Sequence, residues 1–67
     1  MEWKQYTKAG IIEMRPYIQG ESLKDVSVSK GDNPQEDMGI IARNPSDHKD
    51  QWYVNRKFFE SHYKLKI

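Results

Sequence analysis

The sequence predicts an α+β domain in which four or five short antiparallel strands form a sheet, or a small open barrel, with one C-terminal helix. Up to residue 54, aromatic and β-branched residues lie in short segments that lack helical spacing. Glycine and proline fall between these segments, where they indicate turns. Phe58 and Phe59 are each followed four residues later by another ring, His62 and Tyr63, which is the spacing of neighbours on one side of a helix. The strands therefore precede the helix.

The length of the chain allows only one hydrophobic core. At 67 residues it falls below the usual size of a domain, so residues 1–67 are expected to form a single domain. The absence of cysteine excludes a disulfide framework and a thiolate metal site, and it favours a reducing compartment. Two Trp, four Tyr and two Phe must then provide much of the buried area.

The first two strands are predicted at residues 3–6 and 10–18, which are rich in aromatic and β-branched side chains. Pro16 removes a backbone donor, so it belongs at an edge or at the end of the second strand. A turn is predicted at residues 19–22. Residues 26–29 read Val-Ser-Val-Ser, and this strict alternation predicts a half-buried third strand.

The central and final strands are predicted on either side of a polar connection. Residues 31–37 combine turn formers with solvated charge and are expected to form a mobile loop. Residues 38–43 are the most apolar segment and are predicted to be the central strand. Residues 46–50 read as a polar connection with room for one helical turn, and residues 51–54 return to β-type side chains. This last segment is predicted to be the final strand.

The C-terminal helix has a recognisable start. Asn55 stands where an N-cap is expected, and the helix is predicted to end near Lys64. Phe59 and Tyr63 are expected to pack across the sheet. Phe58 then lies beside a half-buried His62.

Composition argues against several classes of function. The formal net charge is +1, from 11 Lys plus Arg against 10 Asp plus Glu, so bulk electrostatics favours neither nucleic acid nor a cationic partner. The longest aliphatic runs, Ile11-Ile12 and Ile40-Ile41, are far shorter than the ~20 apolar residues of a transmembrane helix. We therefore expect no membrane insertion.

Catalytic and metal-binding patterns are not found in the sequence. His48 and His62 are the only histidines, and neither has the spacing of a metal site. The serine and threonine residues lack a Gly-x-Ser-x-Gly context, and a chain of this size rarely builds a supported, water-excluding pocket. We expect no metal, no cofactor and no enzymatic activity.

A basic start to the helix suggests a binding surface. Arg56 and Lys57 occupy the first turn, where the helix dipole prefers acidic residues. Arg43 joins them if the central strand lies beside the final one. Trp52 and Tyr53 are adjacent in a strand and must point to opposite faces. These five residues form either a solvated helix start with core aromatics or a partner-binding patch.

Several segments in roughly the C-terminal two thirds of the chain resemble small, mostly uncharacterised proteins encoded by tailed bacteriophages. The resemblance rests on Gly31-Asp32, residues 40–45, residues 50–54, and Phe58-Phe59-Glu60 with Tyr63. It implies a location in the bacterial host cytoplasm, where short phage proteins often bind and modify host proteins.

Three functions remain open at this level. The leading hypothesis is a phage-encoded protein-binding module that engages a host enzyme or defence factor. The alternative is a small β-sheet nucleic-acid-binding protein, disfavoured by the charge balance, with phosphate contacts from Arg43, Arg56, Lys57 and Lys64. An enzyme is the third and weakest hypothesis. The oligomeric state is open, and a homodimer is one possibility.

Overall fold

All strands in the described part of the chain belong to one antiparallel sheet. A computed structural model of the protein describes residues 3–7 and 10–65. Its elements are β1 (Lys4–Thr7), β2 (Ile11–Pro16), α1 (Pro34–Asp37), β3 (Ile40–Asn44), β4 (Asp47–Val54), α2 (Arg56–His62) and β5 (Lys64–Leu65). The strand order is β4-β3-β2-β1-β5. The α+β class and the predominance of short antiparallel strands are confirmed.

The sheet is open rather than closed into a barrel. Four strands follow one another as neighbours, and α2 then crosses the sheet so that β5 pairs with β1. Within the described ranges, the edge strands β4 and β5 do not pair with each other. They therefore leave two separate edges.

The interior strands carry the apolar centre of the fold. β2 is the middle strand, and Pro16 is tolerated there because it is the last residue of the strand. The predicted central strand corresponds to β3, which lies one place from the middle. Its residues Ile40, Ile41 and Ala42 are all buried, since both faces of the sheet are covered.

The polar connection predicted at residues 46–50 is wrong. The hairpin turn is only Pro45-Ser46, and β4 already begins at Asp47. The side chain of Asn44 accepts a hydrogen bond from the Ser46 N–H at 2.9 Å, which stabilises a tight turn. The first half of β4 is exposed, so its polar residues are compatible with a strand.

The strand predicted at residues 26–29 is also wrong. Only Ser27 pairs, through an isolated parallel bridge to Trp52. Val26 packs on the core but Val28 is exposed, so the alternation does not define one buried face. The sequence prediction also missed β5, because two residues are too few to show a periodic pattern.

Two clusters of apolar side chains cover the two faces of the sheet. On the face that packs against α2, here called the helix face, the buried residues are Met14, Ile40, Ala42 and Val54. On the opposite face, here called the loop face, the buried residues are Tyr17, Ile41 and Tyr53. The connection between β2 and β3 covers the loop face with Leu23, Val26 and Met38.

The predicted start and core side of α2 are confirmed. The Asn55 side chain accepts a hydrogen bond from the Phe58 N–H at 2.8 Å. Phe59 and Tyr63 are partly buried against the helix-face cluster, and Phe59 meets Tyr6 edge to face at 5.1 Å. The helix ends at His62, which is exposed rather than half-buried.

Residues 31–37 do not form an undocked loop. They contain α1, which begins at Pro34, a residue suited to the first helical position. The Asp37 carboxylate accepts hydrogen bonds from the Tyr53 hydroxyl and from the Arg56 N–H, the latter at 2.8 Å. Sequence analysis missed this docking because Asp37 bonds to residues more than a dozen positions away. No helix in the described residues has the length and apolar character needed to cross a membrane.

Candidate functional site

Trp52 and Tyr53 point to opposite faces of the sheet, as expected for neighbours in a strand. Tyr53 is only 5% exposed, and its hydroxyl accepts a hydrogen bond from the Gly39 N–H at 2.9 Å. Burial and the hydrogen bond with Asp37 raise the pKa of Tyr53. Trp52 is half-buried on the helix face. Tyr53 is therefore a core residue, whereas Trp52 is only half-buried.

Arg56 joins the start of α2 to the residues that follow α1. Its guanidinium donates to the Met38 carbonyl oxygen at 3.0 Å, and its N–H donates to Asp37. The Asp37 carboxylate thus supplies the negative charge that the first turn of α2 lacks in its own sequence. Lys57, the next residue, is exposed. Of these two basic residues, Arg56 therefore makes structural contacts and Lys57 lies on the surface.

Arg43 lies far from Arg56. It pairs with Gln51 in the β3–β4 register, whereas Ile40, at the other end of β3, pairs with Val54 next to α2. Its guanidinium contacts Glu13 at 2.7 Å. The five predicted partner-binding residues therefore do not form one continuous patch.

Trp3 packs against two arginine side chains on the loop face. The guanidinium carbon of Arg43 is 4.1 Å from its ring centroid, and that of Arg15 is 5.1 Å away. Arg15 in turn binds Glu21 with two hydrogen bonds, at 2.6 and 2.9 Å. This contact lowers the pKa of Glu21. Each cation has a carboxylate partner, so the cluster is internally neutralised.

The histidines do not assemble a metal site in the described residues. His48 lies 3.3 Å from Glu13, and His62 stacks on Phe58 with ring centroids 4.1 Å apart. No group of three or more metal-ligating side chains is present in residues 3–7 and 10–65.

A solvent-open cleft of about 210 Å³ lies between β4, α2 and the connection that precedes α1. We call it the β4 cleft. It is lined by Ser29, Asp32, Trp52, Tyr53, Val54, Asn55, Phe58 and Tyr63. Aromatic rings therefore come together here with the polar side chains of Ser29, Asp32 and Asn55.

The cleft lies where pairing along the outer edge of β4 stops. Ser27 donates its N–H to the Gln51 carbonyl at 3.0 Å and accepts from the Tyr53 N–H at 2.8 Å. Beyond Ser27 the chain turns, with the Asp32 N–H donating to the Ser29 carbonyl at 3.0 Å. The bridge at Ser27 thus occupies part of the strand edge, and the following turn forms one wall of the cleft.

The rings of the cleft are held by their neighbours. Phe58 is 39% exposed and stacks on His62, with Tyr63 at 6.1 Å. Burial raises the pKa of Tyr63, and a hydrogen bond from the side chain of Trp52 opposes this shift. The cleft therefore presents positioned aromatic surfaces.

Sequence reasoning identified Trp52 and Tyr53, which both line the cleft, but missed its other residues. The sequence does contain an indication for Phe58. Adjacent helical residues lie about 100° apart around the axis, so Phe58 is directed away from the core side that Phe59 occupies. The sequence predicts a solvated loop at Asp32. Its place beside Asn55 depends on the path of residues 29–37 and has no local signature.

The fold and cleft together define a small α+β domain with an open five-stranded sheet and an aromatic cleft at one edge. No known protein family, curated protein or solved structure matches the chain.

Proposed function

We propose that this protein is a small protein-binding module, encoded by a tailed bacteriophage, that engages a host protein in the bacterial cytoplasm. The observation that supports this function best is the β4 cleft. Its half-buried Trp52 and exposed Phe58 are the residue types that dominate protein interfaces. The resemblance of the C-terminal segments to small phage proteins supports the host protein as partner.

The size of the cleft favours a side chain of a protein over a small molecule. Small-molecule sites typically enclose about 300 to 1,000 Å³ and bury most of their ligand. The β4 cleft has a volume of about 210 Å³ and is open to solvent. It is suited to one anchoring side chain of a larger partner whose remaining surface rests around the rim.

The nucleic-acid alternative has less support. Of its four phosphate-binding candidates, Arg43 is paired with Glu13 and Arg56 donates to a backbone carbonyl. Releasing either guanidinium to a phosphate would break an internal contact. Lys57 and Lys64 are exposed, but two lysines give a small electrostatic footprint.

The proposed function is tested by capturing proteins from bacterial lysate with the native chain and two variants. Phe58→Glu removes the exposed ring of the cleft, and glutamate at this third helical position forms a favourable capping box with Asn55. Ile11→Glu is the matched control, because Ile11 is exposed at the start of β2 on the loop face. We expect a host protein to be retained by the native chain and by Ile11→Glu and lost with Phe58→Glu at an unchanged melting midpoint.

Two results would contradict this function. Retention of the same proteins by Phe58→Glu would exclude the β4 cleft as the contact surface. Retention of nucleic acid alone, with log K falling steeply against log salt, would favour the alternative.

A further inference from the structure

We infer that the chain forms a homodimer in which residues 26–28 of two copies pair as antiparallel strands. This inference goes beyond the proposed function, because it assigns a second surface and does not use the β4 cleft. It follows from the direction of the backbone groups beside Ser27, from the sequence of the segment and from the protection of the neighbouring edge of β4.

Two backbone groups beside Ser27 point away from β4. Ser27 donates its N–H to the Gln51 carbonyl at 3.0 Å and accepts from the Tyr53 N–H at 2.8 Å, so both of its groups face β4. The peptide units on either side of Ser27 are trans, and the C=O and N–H of a trans unit point in opposite directions. The Val26 C=O and the Val28 N–H therefore point outward.

These outward groups are accessible for pairing. Ser27 is exposed, and Val28 is 37% exposed. Neither the Val26 C=O nor the Val28 N–H forms a hydrogen bond with the described part of the chain. The Val26 N–H already donates to the Leu23 carbonyl at 3.1 Å, in the turn that precedes the segment. The segment is thus paired with β4 on one side and offers one acceptor and one donor on the other.

The sequence of the segment is complementary to itself. Residues 26–28 read Val-Ser-Val, which is the same in both directions. A two-fold axis through Ser27 aligns Ser27 with Ser27, and Val26 with Val28 of the second copy. Each Val28 N–H then donates to the opposite Val26 C=O, so two identical hydrogen bonds satisfy the outward groups of both copies. This match identifies a second copy of the chain as the occupant.

The side chains suit the same pairing. The exposed Val28 gains Val26 of the second copy as a cross-strand neighbour. One lysine and one aspartate flank the segment on each side, within residues 24–25 and 30–32. Antiparallel pairing brings these two flanks together, and their formal charges are balanced. Neither end of the strand pair therefore carries a net charge that opposes association.

The neighbouring edge of β4 is protected against pairing, whereas residues 26–28 are not. Before Gln51, β4 reads Asp-His-Lys-Asp, and the Asp47 side chain accepts from the Lys49 N–H at 3.1 Å. Charged side chains on an edge strand hinder pairing with another chain. Residues 26–28 carry no charge. This contrast assigns the contact to residues 26–28.

Sedimentation velocity tests the dimer directly. The contact is short, so we expect weak association, with the weight-average mass rising from monomer towards dimer between about 10 µM and about 1 mM. Val28→Lys places a charge in the strand pair and should weaken the dimer by at least about tenfold. Its melting midpoint should be unchanged, because Val28 is exposed. Ile11→Lys is the matched control, since Ile11 is 43% exposed on β2, and it should dimerise like the native chain.

Amide hydrogen exchange locates the contact in the native chain. The Val28 N–H should exchange rapidly at about 10 µM and become protected at about 1 mM, as the dimer forms. The Ser27 N–H is the internal control, because its bond to the Gln51 carbonyl is already present in the single chain.

The inference is overturned if the native chain stays monomeric up to about 1 mM, if Val28→Lys dimerises like the native chain, or if Val28 gains no protection with concentration. Protection of Val28 in bacterial lysate, at a chain concentration too low for dimerisation, would assign this edge to another protein and would also overturn it. The proposed function fails separately. Phe58→Glu should lose the host protein and still dimerise like the native chain, because the dimer does not use the β4 cleft.

Discussion

Asp37 connects three parts of the fold through one carboxylate. It accepts from Tyr53 on β4 and from the first N–H of α2, and it lies at the end of α1. The side chain of Arg56 reaches back to the Met38 carbonyl and closes the same junction. A feature that looked like a binding patch in the sequence is therefore a structural contact between distant segments.

Arg56 and Lys57, in the first turn of α2, should respond differently to charge reversal. Arg56→Glu removes the bond to the Met38 carbonyl and brings a second carboxylate towards Asp37, so we expect a loss of about 2 kcal/mol in the free energy of unfolding. Lys57→Glu adds a favourable charge at the helix start and should leave stability equal or slightly higher. Urea denaturation of both variants measures the difference. Equal stabilities would contradict the structural role of Arg56.

Gly39 is required by close packing rather than by its backbone angles. A Cβ there would overlap the Val54 carbonyl oxygen and lie 2.5 Å from the Tyr53 hydroxyl. Gly39→Ala should therefore cost about 3 kcal/mol. The control is Gly31→Ala, where a Cβ meets nothing within 4 Å, so its stability should be equal or higher. A native-like melting midpoint for Gly39→Ala would show that this junction is looser than described.

The raised pKa of Tyr53 predicts that the protein loses stability in alkaline solution. Burial and the bond with Asp37 raise its pKa in the folded state. The unfolded chain loses this proton near its ordinary pKa of about 10, while the folded chain retains it. The stabilisation is present below that pH and is lost as the pH rises towards the folded pKa. Urea denaturation between pH 8 and 11, at about unit steps, should show a steeper loss for the native chain than for Tyr53→Phe. Parallel curves would contradict the raised pKa.

The elements could be predicted to different extents. Some depend on contacts between residues close in sequence, and others depend on contacts between residues far apart in sequence. The start of α2 was predictable because Asn55 caps a residue three positions away. Residues 26–29 have the alternation of a strand, but only Ser27 finds a partner, and that partner belongs to distant β4. The first half of β4 is exposed at an edge, so it carries no apolar signal.

The candidate site was less predictable than the fold. The residue type of Trp52 and its place in a strand indicate a contact residue. Asp32 and Ser29 reach the cleft only because the chain turns after its bridge at Ser27. Arg43 was expected near Arg56, but the β3–β4 register places it at the other end of the strand. Such positions depend on long-range pairing that local patterns do not encode.

The two adjacent phenylalanines of α2 provide a matched test of its orientation. Phe59 packs against the helix-face cluster, whereas Phe58 is 39% exposed. Because Phe59 is partly rather than fully buried, Phe59→Ala should cost about 3 kcal/mol, the lower end of the range for core phenylalanine. Phe58→Ala should change the free energy of unfolding by less than about 1 kcal/mol. Thermal melting of both variants measures the two losses of stability. A larger loss for Phe58→Ala than for Phe59→Ala would reverse the assigned faces of the helix.

At the scale of the whole molecule, both faces of the sheet are covered although the chain has only 67 residues. Its Cα radius of gyration is 11.2 Å, close to the value of about 11 Å expected for a compact chain of this length. The helix covers one face, and the connection between β2 and β3 covers the other. Among the described residues, the exposed ring of Phe58 lies at the edge of the sheet, in the β4 cleft.

The central claim is that a host protein contacts the β4 cleft, and photo-crosslinking in living bacteria tests it most directly. A benzophenone-bearing phenylalanine replaces Phe58 in one variant and Ile11, on the loop face, in another. We predict a discrete adduct with one host protein from position 58 and no such adduct from position 11. Adducts from position 11 alone, or with nucleic acid alone from position 58, would contradict the claim.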